Sequence, residues 1–153
     1  MMDKDYILKR LNSAEHIPLD ELNNYLISKD KDIKHEAWNY VLRNLKSLDK
    51  KYLLYLLQFP DTGTRYRAWN EVPVLIKDGL LTLNEVRELI EYFFEMLKDD
   101  NITVRALSWY VTLIPLIEIG LVKKEELVQY YKWLCDLEME ELEEIKTELG
   151  VKC

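Results

Sequence analysis

The chain has 153 residues, 48% apolar and 32% charged, with a formal net charge of −7; this balance suits a soluble domain with an ordinary core and excludes a disordered chain. Only four glycines and four prolines punctuate it, so long helices with short connections are favoured over many-turned sheets, and an all-α fold is expected. The acidic balance argues against non-specific nucleic-acid binding, which cations drive by displacing counterions from phosphates.

No apolar run follows the opening MMDKDYILKR, so no secretory leader is expected, and the longest charge-free stretch, residues 106–117, is too short to span a bilayer. A cytoplasmic protein without a membrane segment is expected. Hydrophobic periodicity places helices at about 3–11, 18–29, 33–47, 50–59, 64–78, 83–98, 103–119, 123–136 and 138–149. Pro18 opens the second, Thr82-Leu-Asn-Glu85 is a capping-box pattern, and Gly79, Gly120 and Gly150 stand where helices should end. Pro73 and Pro115 fall inside two of these helices, where each removes a backbone donor and should kink its helix.

From Leu134 onward seven acids (Asp136, Glu138, Glu140, Glu141, Glu143, Glu144, Glu148) face two lysines, so −5 of the net charge lies at this end. A protein partner with a basic surface fits it. Leu134, Leu137, Leu142, Ile145 and Leu149 recur there at near-helical spacing, predicting an amphipathic helix that folds back as a polar-faced cap; the alternative is that a second copy of the chain or a partner helix fills the groove it would cover. Cys135 and Cys153 are too few for a disulfide framework, the second at the chain end, and both are expected to be free thiols.

Three segments echo one another: Ile33-Lys34-x-x-Ala37-Trp38, Thr64-Arg65-x-x-Ala68-Trp69 and Val104-Arg105-x-x-Ser108-Trp109. An Asp stands near the start of each, Asp32, Asp61 and Asp100, and a second echo pairs Gly79 and Glu85 with Gly120 and Glu126. Self-similarity at roughly 30 to 45 residues marks stacked helix pairs that cannot bury their apolar faces alone. The pattern resembles the HEAT-repeat family, whose unit carries an Asp in the turn between two helices and Val-Arg-x-x-Ala opening the second. Lys34, Thr64, Ser108 and the neighbouring tryptophans depart from that pattern. The resemblance covers roughly residues 18–135 and implies a right-handed α-solenoid of about four antiparallel helix pairs. It implies one domain over residues 1–153, with a cap at 1–17, repeats at 18–136 and an acidic helix and tail at 137–153.

Recurrence once per unit assigns the shared positions to packing rather than chemistry. Asp32, Asp61 and Asp100 are expected to cap helices and pair with Lys34, Arg65 and Arg105 in a ladder. Ala37, Ala68 and Ser108 are small so that helices approach closely, and Trp38, Trp69 and Trp109 fill seams between units. On the opposite arc, candidate partner-binding residues are His35, Asn39 and Arg43, then Tyr66, Arg67, Asn70 and Lys77, then Leu107, Tyr110 and Ile114, with Ala106 in the same row. The row turns from polar to apolar, so something must cover helix 103–119.

Neither His16 nor His35 stands at ligand spacing from another histidine or a cysteine, and no glycine loop cradles a phosphate, so no catalytic, metal or cofactor site is expected. Asp61-Thr62-Gly63 spells the aspartic-protease tripeptide but occurs once, at a helix start, and reads as an N-cap turn. The expectation is a non-catalytic adaptor, monomeric or weakly dimeric, that binds a protein through its concave face or acidic end. The alternative, implied by the same resemblance, is a nucleic-acid module related to alkylation-repair DNA glycosylases, with the tryptophans stacking on bases.

Overall fold

The computed structural model describes residues 3–153, and every regular element among them is helical. The chain separates into two compact units, one ending at Leu53 and the other running Leu54–Cys153. No helix among the described residues is long and apolar enough to cross a membrane.

In the first unit, α3 (Lys31–Arg43) packs against both α1 (Lys4–Leu11) and α2 (Leu19–Leu26). Leu11, Ile17, Leu22, Leu26, Ala37 and Val41 are fully buried between them, and the small Ala37 permits close approach. Two polar contacts tie the connections down. The Ile17 N–H donates to the Tyr40 hydroxyl at 3.0 Å, and the Arg43 guanidinium donates to the Leu11 carbonyl at the end of α1. The helix α4 (Lys50–Leu56) follows.

The second unit opens its helical pairs with α5 (Thr62–Asn70) and α6 (Val72–Lys77), then α7 (Leu83–Arg87) and α8 (Ile90–Leu97). A long irregular helix comes next: α9 (Ile102–Leu107), a π-helical turn Ser108–Thr112, and α10 (Leu113–Glu118). A 3₁₀ stretch, Lys124–Tyr130, leads into α11 (Tyr131–Cys135), and the 3₁₀ turn Glu140–Leu142 leads into α12 (Glu143–Leu149). Trp69, Phe93, Leu97, Trp109, Leu113, Leu116 and Leu127 form the innermost layer. The Trp69 and Phe93 rings lie 5.6 Å apart, in the range where tilted aromatic pairs attract beyond simple area burial.

Two of the echoed segments share one wiring scheme. Trp69 Nε1 donates to the Leu57 carbonyl at 2.9 Å, and Trp109 Nε1 donates to the Leu97 carbonyl at 2.8 Å, both to a residue 12 positions earlier. Each indole spans the turn before its helix and satisfies a carbonyl at the end of the preceding one. Gly79 (φ 76°) and Gly120 (φ 82°) end the two helices in the left-handed region, where a side chain would be strained. Past Gly79 the Leu80 and Leu81 N–H groups return to Leu75; past Gly120 those of Leu121 and Val122 return to Leu116. The capping box at Thr82 forms as expected, with its hydroxyl accepting from Glu85 N at 3.1 Å while Glu85 accepts from Thr82 N at 2.9 Å. Glu126 repeats half of it by accepting from Lys123 N at 3.0 Å.

The copies differ where their helices are interrupted. Gly79 lies ten residues after Trp69, whereas Gly120 lies eleven after Trp109. The extra residue is absorbed in the π turn, where Leu113 N donates to the Ser108 carbonyl five residues back. The expected proline kinks take different forms. Pro73 stands in the first turn of a new helix after a break at Glu71, where a missing N–H costs nothing, and Pro115 follows directly on the π turn.

Three expectations are corrected. The capping residues are Asp30, Asp61 and Asn101, whose side chains accept from Ile33, Thr64 and Val104 N–H at 3.2, 2.9 and 3.1 Å. Asp32 and Asp100 do not cap. Each true cap stands eight residues before its tryptophan, a distance set by helix pitch, and Asp32 already lies in the first turn, from which it pairs with Lys4 at 2.8 Å. The expected ladder is likewise absent at the third copy: Arg105, buried, reaches Asp136 at 3.5 Å rather than Asp100, while Arg65 donates to the Phe59 carbonyl at 3.1 Å. Finally, Cys135 and Cys153 are not free thiols but a disulfide. The chain after α11 turns back through α12, which brings their Cα atoms to 5.5 Å, within bridging distance.

Candidate functional site

The tryptophans settle first, because their exposure decides what they can touch. Trp38 is 6% exposed and Trp69 and Trp109 are fully buried, so none presents a ring face on which a base could stack. Ala37, Ala68 and Ser108 are buried as expected. Thus the small residues and tryptophans of the shared motif are interior, and any interaction site must be built from other residues.

The candidate partner-binding row divides into three sets. His35 is exposed and Asn39 half-buried on α3, while Arg43 is committed to the Leu11 carbonyl. Tyr66 and Arg67 are half-buried on α5, Lys77 is exposed at the end of α6, and Lys34 is half-buried on α3. Asn70 is engaged internally, accepting from the Thr112 hydroxyl at 2.5 Å, so it joins the end of α5 to the π turn. Ala106, 3% exposed, lies at the floor of a recess rather than on an open face. Leu107, Tyr110 and Ile114 come together with residues that periodicity alone does not bring to mind.

That gathering is an apolar groove within the second unit. One recess, about 260 Å³, is lined by Ile102, Ala106, Leu107, Tyr110, Met139 and Leu142, with Thr103 and Glu141 at its margin. A second, about 250 Å³, continues from Tyr110 past Ile114 to Glu141, Glu144, Ile145 and Glu148. Ile102, Tyr110 and Met139 are 58%, 45% and 37% exposed, an unusual concentration of large apolar side chains in contact with water. Within the π turn Tyr110 and Val111 face outward while Trp109 and Thr112 stay buried.

The opposite wall is the amphipathic C-terminal segment. Leu134, Leu137, Leu142, Ile145 and Leu149 are all buried, and the 3₁₀ turn Glu140–Leu142 packs against the π turn. Its acids face outward. Lys146 pairs with Glu143 at 3.3 Å and donates to the Leu137 carbonyl at 3.2 Å, but no ion pair among the described residues reaches Glu141, Glu144 or Glu148. The groove is therefore apolar at one end and rimmed by unneutralised carboxylates at the other.

A third recess, about 460 Å³, lies elsewhere in the unit between Leu83, Asn84, Arg87, Gly120, Leu121, Lys123 and Glu126. Its charges largely satisfy one another. Arg87 pairs with Glu126 and donates to the Leu121 carbonyl at 3.0 Å, and that hydrogen-bonded guanidinium holds the Glu126 carboxyl below its usual range. No cluster of three or more His, Cys, Asp or Glu side chains suited to a metal occurs among the described residues.

No protein-family model matches the chain, and neither a curated protein nor a solved structure matches it. Sequence reasoning placed Leu107, Tyr110 and Ile114 on an open face but missed Ile102, Met139 and the rim acids as their neighbours. Ile102 carried a signal, an apolar residue directly after a capping Asn with no place in the buried stripe.

Proposed function

We propose that the chain is a HEAT-like helical-repeat scaffold, a right-handed α-solenoid of about four antiparallel helix pairs, which binds a protein partner without catalysing a reaction. The observation that carries the interaction reading is the groove: large apolar side chains left in water beside Glu141, Glu144 and Glu148, which no ion pair among the described residues reaches. The repeat reading draws support from the two copies' common tryptophan bond and glycine cap. We place the protein in the cytoplasm, as a monomer or weak homodimer.

A nucleic-acid module is the weaker reading. Its candidate stacking residues are interior, Arg105 is buried, and the net charge repels phosphates. The test is capture of partners from the source's soluble extract on immobilised protein, with and without nuclease, followed by mass spectrometry. A small set of proteins retained regardless of nuclease is the expected result; loss of the catch with nuclease would transfer the proposal to nucleic acid.

A further inference from the structure

We infer that the groove between the α9–α10 helix and the C-terminal segment receives a basic amphipathic helix of a partner protein, its apolar anchors entering the recess at Ile102, Tyr110 and Met139 and its lysines or arginines meeting Glu141, Glu144 and Glu148. This rests on the interaction reading above and names its partner class. The two recesses share Tyr110 and Glu141 and follow one another along a helix face. Each is below the size of a typical small-molecule pocket, about 300 Å³ and upward, and suits one or two inserted side chains. Anchors at i, i+4 and i+7 of a helix span about 10 Å, the distance covered by about seven residues of the α9–α10 helix, so successive anchors meet successive recesses.

Charge selects the occupant. A second copy of this chain would bring a net charge of −7 and its own rim acids against Glu141, Glu144 and Glu148, and anionic lipid or nucleic acid would meet the same repulsion. A cationic face gains from carboxylates that no ion pair among the described residues neutralises. An apolar anchor flanked by basic residues fits both halves of the groove at once.

The test uses the whole oxidised chain and three fluorescein-labelled peptides read by anisotropy. One is an amphipathic Leu/Lys helix, one the same composition scrambled to destroy its apolar face, and one the Leu/Glu counterpart of the first. The amphipathic Leu/Lys peptide is expected to bind saturably at one site, at least tenfold more tightly than the scrambled peptide, with no binding of Leu/Glu. The double variant Ile102→Lys, Tyr110→Lys alters exposed positions, should keep the native melting curve, and should weaken binding at least tenfold. The triple variant Glu141→Lys, Glu144→Lys, Glu148→Lys should transfer the preference to the Leu/Glu peptide. Equal binding of the scrambled peptide, or no effect of the double variant, overturns the inference. So does sedimentation of the native chain as a dimer that the double variant dissociates, because the occupant is then a second copy. Extract capture that survives the double variant leaves the scaffold reading intact and moves its binding face elsewhere, so the two proposals fail separately.

Discussion

Trp69 and Trp109 each combine a fully buried ring with one directed hydrogen bond, and the two contributions can be separated. Truncation to Ala removes both and leaves a cavity, at a cost of about 3 to 5 kcal/mol. Replacement by Phe keeps most of the apolar volume but leaves the Leu57 or Leu97 carbonyl without its donor, at about 1 to 3 kcal/mol. Chemical denaturation of Trp109→Phe beside Trp109→Ala checks this, and a Trp109→Phe variant as stable as the native chain would show that the hydrogen bond contributes nothing. The tryptophans were legible in the sequence because their spacing from Ala37, Ala68 and Ser108 put them on a buried arc. Their caps were less so: Asp30-Lys31-Asp32 and Asp99-Asp100-Asn101 each offer several polar residues to a helix start. For Asn101 the choice follows from the tryptophan register, since a helix that must present its indole to the previous helix's last carbonyls has its first turn fixed in advance.

At the scale of elements, helix positions were readable from periodicity and end signals, whereas the interruptions inside helices were not. Break and π turn both lie between two fixed points, a tryptophan bonded backward and a glycine cap bonded inward. Those anchors belong to tertiary structure, so the residue count between them becomes meaningful only once both are known to hold. Ten residues fit with a break at Glu71; eleven require a wider turn. Removing Val111, which is 42% exposed, equalises the counts. Pro115 must be relieved in the same variant, because a proline within a continuous α-helix costs about 3 kcal/mol. The deletion combined with Pro115→Ala is expected to give one regular helix from Ile102 onward, with the Trp109 indole N–H still protected from hydrogen exchange. Nuclear Overhauser contacts across Ser108–Thr112 would report the change, and persistence of the five-residue contact would show that residue number does not cause the π turn. The groove was only half legible for the same reason: Leu107, Tyr110 and Ile114 follow from one helix's pattern, but Met139 and Glu141 join them only through the path of the returning chain.

At the scale of the whole molecule, the acidic end is held by the Cys135–Cys153 disulfide, which brackets the segment bearing Glu141, Glu144 and Glu148. Sequence alone could not pair these cysteines, because what brings them together is the return of the chain through α12 and past Gly150, whose φ of 70° turns it back at Val151. Such bonds persist in oxidising compartments and in the intracellular proteins of some hyperthermophiles. The bridge closes a loop with a sequence separation of 18 residues, for which chain entropy in the unfolded state gives a stabilisation of about 3 kcal/mol. Leu142, Ile145 and Leu149 are buried in their own right, so the folded segment does not depend on the bond for its packing. Reduction is therefore expected to lower the melting temperature while leaving the far-ultraviolet circular dichroism of the folded state unchanged. Cys153→Ser should reproduce that loss and abolish any further effect of reductant. If reduction instead removes helical signal below the transition, the segment is held mainly by its disulfide, and the groove's acidic wall exists only while that bond does.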